Sequence, residues 1–260
     1  MSAERGGAGT AWADARAAAA AAGVEITGLT GADVAAAQQL IGAAWGPHQV
    51  PQSNLLQAVA HAGNTLLVAR REAEPLGVVL GFLGWAGGLH LHSHMTAVVA
   101  GQQSRGVGYA LKLWQRALCL DQRVGSIRWT YDPLIARNAH FNLVKLGADV
   151  TAFLPDFYGA MDDTVNAGDA SDRFEVTWDL GSDRVADAVA GRRTAVADVA
   201  GSLAIPADYD ALRRRDPAEA QRVRMRTREA FQRLWTEGLS IEWSGGRYVF
   251  VRQPVGSVRG

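Results

Sequence analysis

The chain has 260 residues, 48% of them hydrophobic, and its 26 lysines and arginines balance 26 aspartates and glutamates. That length fits one large domain, or a domain with a sizeable appendage, around a real core. Zero net charge argues against a general nucleic-acid or membrane-surface binder, and no apolar run approaches the ~20 residues of a membrane span.

Met1 to Thr10 is small, polar and glycine-rich, the composition of a disordered segment. It lacks a basic stretch followed by an apolar one, so no signal peptide is expected and a cytoplasmic location is. Ala11 to Ala22 reads as a short alanine helix or as low-complexity lead-in. Val24 to Leu29 reads as a strand. Thr30 then caps a helix over Ala32 to Ala44, which Trp45-Gly46-Pro47 ends. A second helix, Ser53 to Ala62, precedes the strands Thr65 to Arg71, Leu76 to Trp85 and Leu89 to Val99. Short turns at Ala73-Glu74-Pro75 and Gly87-Gly88 make these an antiparallel meander.

A helix follows over Tyr109 to Leu120, with the single cysteine, Cys119, reading as a small core residue. Ser126 to Tyr131 is a strand broken by Asp132-Pro133, and Leu134 to Leu146 is a helix stopped by Gly147. Strands at Asp149 to Leu154 and Phe174 to Trp178 complete an α/β plan with a mixed sheet. Beyond about Gly181 the character changes. Val223, Thr227, Ala230, Phe231 and Leu234 recur at helical spacing, and Arg222, Arg226, Arg228 and Arg233 form an opposite face that is solvated or, as the alternative, binds an acidic group such as a donor carboxylate. Arg247 to Val251 is a closing strand. The predicted divisions are a lead-in over 1–22, a main domain over 23–180 and an α/β extension over 181–260.

Gln103-Ser104-Arg105-Gly106-Val107-Gly108 lies between a strand and a helix. Such a turn gathers backbone N–H groups at a helix N-terminus, where the dipole favours an anion, and the glycines admit a bulky one. A dinucleotide fingerprint requires a third glycine where Leu111 stands, and a nucleotide P-loop requires a lysine that is missing. The remaining reading is the pyrophosphate of coenzyme A.

Gln103, Gly106 and Gly108 match an arginine or glutamine, two residues, a glycine, one residue, and a glycine or alanine. In this the chain resembles the GNAT superfamily of acyl-CoA N-acyltransferases. Asn138 through Lys145-Leu146-Gly147-Ala148 is similar to that family's second signature, and the likeness spans about Val24 to Leu180. It implies a mostly antiparallel mixed sheet, splayed at a central bulge and flanked by helices, with a small C-terminal α/β extension. It also implies transfer of an acyl group from a coenzyme A thioester directly to an amine. Acetyl-CoA is the default donor, with succinyl-CoA or another larger acyl-CoA as the alternative. Thr96, Ala97, Val98 and Val99 would pair with the pantetheine arm, and the Thr96 N–H would polarise the thioester carbonyl. Gln103, Ser104, Arg105, Gly106, Val107, Gly108 and Tyr109 would hold the pyrophosphate, and Asn138 the pantetheine.

His92 and His94 are two apart and share one sheet face, with Ser93 on the other. Imidazoles suit general-base work near neutrality, so His92 and His94 are candidate bases; the alternative is packing together with His90. Three histidines in line on a strand do not converge on a tetrahedral site, and no metal is expected. In this family a tyrosine four residues before the signature's glycine often protonates the thiolate. Leu143 stands there, leaving Tyr131, His140, Tyr158 or solvent. Trp45, His48, Asp132 and Tyr158 are candidates for the acceptor side, with core packing the alternative for Trp45 and a turn for Asp132. The expected acceptor is a small-molecule amine or amino acid, with neither nucleic acid nor membrane as partner; a homodimer is an assembly the sequence permits. A silent acyl-CoA-binding module is the competing reading.

Overall fold

The computed structural model describes residues 2–103, 105–159, 169–192 and 195–252. The chain falls into two compact units, one built from residues up to Trp129 with 179–181, the other from most of the remainder. Among the described residues no helix is long and apolar enough to cross a membrane.

The first unit opens with helix α1 (Ser2–Ala22) and strand β1 (Glu25–Gly28). The expectation of disorder before Thr10 gives way to helix. Ala11, Ala15, Ala19 and Ala22 recur on one face and are buried. Their small side chains let α1 lie close against α4 (Val107–Asp121), where Trp12 meets Trp114 edge-on at 5.3 Å and Asp14 pairs with Arg116 at 3.1 Å. Tertiary packing thereby outweighs the ~1 kcal/mol that each of Gly7 and Gly9 costs a helix.

Thr30 starts a 3₁₀ turn (Gly31–Asp33) that leads into α2 (Val34–Trp45). Its N–H and hydroxyl both donate to Asp33 Oδ2 at 2.8 Å. After α3 (Ser53–His61) come β2 (Leu66–Arg71), β3 (Glu74–Gly84) and β4 (His90–Val98). β1 to β4 pair antiparallel in chain order. β5 (Ser126–Tyr131) joins β4 in parallel, at Leu91↔Ile127 and His92↔Arg128.

This sheet is covered on both faces. Val34, Ala37, Ile41 and Leu56 of α2 and α3 pack on Leu66, Val68, Val78, Leu80 and Ala97. Ala19, Ala22, Val107, Ala110 and Leu111 of α1 and α4 pack on Leu67, Ala69, Leu76 and Val79. Alternate residues of β2, and of β3 from Val78 onward, thus go to opposite layers, which explains why both strands read as continuous apolar runs.

The second unit contains α5 (Ala136–Ala139) and a π-helical turn (His140–Lys145) where one continuous α-helix is predicted. The Leu146 N–H reaches back five residues, to Phe141 O at 3.0 Å. Helical periodicity does not distinguish that wider ring from the ordinary one, so the turn was not legible in the sequence. β6 (Asp149–Leu154) pairs antiparallel with β7 (Arg173–Asp179). α6 (Asp183–Val189), β8 (Val199–Leu203), α7 (Tyr209–Arg215), α8 (Pro217–Thr236), β9 (Ser240–Ser244) and β10 (Arg247–Val251) follow. The last three strands form an antiparallel sheet in the order β8-β10-β9. Phe174, Phe231 and Tyr248 stack edge to face at its core, with centroids 4.6 to 5.6 Å apart.

Candidate functional site

The register of β4 against β3 slips by one residue. Leu80 faces Met95, the next residue Gly81 faces Ser93, and His94 is the extra residue of a bulge. A bulge re-aims the side chains beyond it. Ser93 therefore faces α4, whereas Met95 and Ala97 turn to the α2–α3 layer and Val98 to the α4 layer.

The same register settles where the N–H groups of β4 point. The Val99 N–H donates to Leu76 O at 2.9 Å, and Ala97 and Thr96 lie opposite Val78 and Val79. Antiparallel ladders alternate, so Ala97 and Val99 spend their N–H groups on β3, and Thr96 and Val98 direct theirs to the opposite edge. On that edge the pairing with β5 covers Leu91 and His92 and stops there among the described residues. Of the four residues predicted to pair with a pantetheine arm, Thr96 and Val98 are the two that present a donor to this edge.

His92 and His94 share one face with Phe82, which stands opposite His92 in the register. The three ring centroids are 5.2, 5.8 and 5.9 Å apart. Burial, then the neighbouring His94, His90 and Lys112, pushes His92 down to about 4. His94 is lowered by burial as well. Both rings are therefore neutral at pH 7. His90 is a packing residue: its Nδ1 lies 2.8 Å from Gly88 O, and its ring fills the space beside Gly84. Among the described residues no three His, Cys, Asp or Glu side chains group to hold a metal.

The glycine turn follows the strand. Gly106 is the N-cap of α4 at φ 91°, a left-handed conformation that glycine adopts freely. The first helical bond runs from Ala110 N to Gly106 O at 2.9 Å, so the N–H groups of Val107 and Gly108 precede it. A Cβ on Gly108 would meet only Val98, at an ordinary 3.7 Å, so the fold itself does not demand glycine there. Gln103 and Arg105 are exposed in the turn, Tyr109 is half-buried, and Ser104 lies outside the described residues.

Trp45 packs on the α2–α3 layer, and His48 is exposed in a 3₁₀ turn (Pro47–Gln49). An open cleft beside them is lined by Gln38, Gly42, Pro47 and Val50.

The other predicted site residues belong to the second unit. The Tyr131 hydroxyl is buried 3.4 Å from that of Tyr248, and its pKa is raised chiefly by burial. Asp132 is committed to Arg224 through bonds of 2.8 and 2.7 Å and accepts the Leu134 N–H at 2.8 Å. Asp132 thus makes the turn that was its alternative reading, together with an ion pair to Arg224. Asn138 and His140 are half-buried on α5 and the π turn. Tyr158 lies 3.1 Å from Thr130 Oγ1 under the Arg173 guanidinium.

The arginines of α8 are also engaged. Arg222 and Arg226 pair with Glu219, Arg228 with Asp172, and the buried Arg224 with Asp132 and Asp169. They offer less to a donor carboxylate than their sequence spacing implies.

Sequence reading missed Lys112, Gln115 and Phe82 around β4. The available signal was a lysine inside the apolar run Ala110 to Leu113.

No protein-family model and no curated protein matches the sequence. Among solved structures, YncA from Salmonella typhimurium with its cofactor acetyl-CoA matches at a TM-score of 0.50 and 18% identity, over 62% of this chain and 95% of that one. Naa20 from Chaetomium thermophilum in complex with a bisubstrate analogue matches at 0.50 and 15%, over 62% and 92%. With its helix-flanked, mostly antiparallel sheet, bulged fourth strand and glycine turn into α4, the chain has the fold of the GNAT superfamily over about 60% of its length.

Proposed function

We propose that this protein transfers an acyl group, acetyl by default, from an acyl-CoA thioester to a primary amine of a small molecule or amino acid. The observation that carries the reading is the bulged β4 strand. It presents the Thr96 and Val98 N–H groups along an edge where pairing with β5 has ended, and it leads directly into the glycine turn before α4. Val98 N–H and the carbonyls beside it suit the amide groups of a pantetheine arm. The N–H groups ahead of the Ala110–Gly106 bond suit a pyrophosphate.

In this reading the amine nitrogen bonds to the thioester carbon. The Thr96 N–H donates to the oxygen as it becomes negative, a contribution worth roughly 3 kcal/mol in comparable sites. His92 accepts the proton that the nitrogen sheds, and the C–S bond breaks. A free thiol titrates near ~8.5, so solvent can protonate the departing thiolate. An imidazole held near 4 is too weak a base to deprotonate a free alkylammonium effectively. It removes the proton after the nitrogen has begun to bond the carbonyl, so the acceptor reacts from its neutral form. The edge formed by Phe82, His92 and His94 is aromatic and uncharged at pH 7, which suits a small neutral amine.

The test is release of free thiol from acetyl-CoA and succinyl-CoA across a panel of amines. Turnover on at least one amine, lost in His92→Ala, is expected. Coenzyme A binding without turnover on any amine sinks the enzyme reading and leaves a silent acyl-CoA-binding module.

A further inference from the structure

Beneath the strand that carries the two histidines runs a buried polar chain that the proposed chemistry does not use. Lys112 Nζ donates to Ser93 Oγ at 2.7 Å, Ser93 donates to Gln115 Oε1 at 2.8 Å, and Gln115 Nε2 donates to Thr65 Oγ1 at 2.8 Å. Lys112, Ser93 and Gln115 are 4%, 4% and 0% exposed. The ammonium also lies over the face of Trp129, 4.1 Å from its centroid. Gly81, opposite Ser93, makes room for the chain: a Cβ there would stand 2.6 Å from Thr65 Oγ1 and 2.9 Å from Gln115 Nε2.

The groups facing Lys112 are Ser93 and, across the strand, His92 of β4, Trp129 of β5, and Gln115 and Cys119 of its own helix. Among the described residues none is a carboxylate. An ammonium buried without a counter-ion is costly, and methionine would fill similar space without that cost. Stability therefore does not account for the lysine. Its placement does. The chain grips the one residue that separates His92 from His94, immediately before the bulge. A one-residue slip of β4 would exchange the faces of Ser93 and both histidines, and a hydroxyl bonded into a buried polar chain is worth little in any other register.

We propose that Lys112 is a positioning residue of the β4 site, pinning the strand through Ser93 and so setting the stance of His92 and His94. The proposal rests on the reading of His92 as the base, but its test does not require turnover.

The experiment is a pH titration of the full chain by NMR with labelled histidine and lysine side chains. In the wild type, Lys112 should titrate at about 7. The Ser93 amide and the His92 ring should show an inflection at that same midpoint, separate from His92's own near 4. In Lys112→Met that shared inflection should vanish, and in Ser93→Ala it should shrink on the His92 ring to what the direct field of Lys112 alone produces. Where turnover is present, kcat should fall about tenfold, with KM for acetyl-CoA changed by less than about twofold. His92 and His94 curves that match the wild type in both variants overturn the proposal. If neither variant folds, the wild-type titration decides, and a His92 ring blind to Lys112 overturns it. A linked inflection in a protein that turns over no amine supports the positioning role while the enzyme reading falls.

Discussion

Lys112 Nζ lies 2.7 Å from Ser93 Oγ, so a hydroxyl takes the place a carboxylate would occupy in an ion pair. Burial pushes the lysine down to about 7, and the neighbouring Cys119 thiol up to about 12. The free lysine value is near ~10.4. Between pH 7 and that value the unfolded chain carries the lysine proton and the folded chain does not, so stability rises with pH. Cys119 acts in the opposite sense above pH 9, where the unfolded thiol ionises and the folded one does not. Urea denaturation between pH 7 and 9 should therefore show the wild type gaining stability relative to Lys112→Met, by of order 2 kcal/mol. At pH 7 the variant should be the more stable protein. A difference that stays flat across the window contradicts a buried, uncompensated lysine.

His92 makes a separate prediction about rate. Held down to about 4, it stays neutral through the range in which a free imidazole would protonate. Once the acceptor's own ionisation is divided out, kcat/KM should stay level from pH 7 to about pH 5 and fall only as His92 protonates. The steady-state pH profile checks this. An acid limb near the ordinary histidine value of ~6.5 would remove His92 as the base.

Proline substitution separates the two edges of β4. Thr96→Pro removes an N–H that β3 does not use, and Ala97→Pro removes one of the ladder bonds to β3. Ala97→Pro should lower Tm more. Thr96→Pro should lower kcat by about 10²- to 10³-fold, the scale seen when an oxyanion donor is lost. Thermal melts and steady-state kinetics on the pair give the answer, and a Thr96→Pro protein with undiminished kcat excludes that N–H from the chemistry.

Arg224 is 1% exposed and is bonded to both Asp132 and Asp169 at 2.7 Å. Removing it leaves two buried carboxylates with only the 3.9 Å contacts of Arg173 and Arg213 as cationic partners among the described residues. Arg224→Met should destabilise the protein by about 3–5 kcal/mol. Adding Asp132→Asn and Asp169→Asn should recover part of the loss, because the orphaned charges go with the arginine. Chemical denaturation of the single and triple variants tests it; a triple variant weaker than the single one would show that the aspartates are held by other partners.

Local chemistry carried much of this protein. Alternation placed Ser93 and the two histidines on opposite faces of β4, and the glycines marked the turn into α4, because periodicity and backbone freedom are properties of short stretches of chain. The strands Ser126–Tyr131 and Asp149–Leu154 were legible to the residue for the same reason. The bulge at His94 was not, since an extra residue in a ladder exists only relative to the partner strand. The assignment of the Thr96 and Val98 donors depended on that same register. Lys112 carried only the signal of a lysine inside an apolar run, and nothing local singled out Arg224. Only the tertiary structure showed one beneath Ser93 and the other between Asp132 and Asp169, because burial and pairing are set by residues distant in the chain. The sequence by itself determined where the backbone turns and which faces alternate, and the packing of strands and helices decided which polar groups are enclosed and where the pairing of β4 with β5 stops.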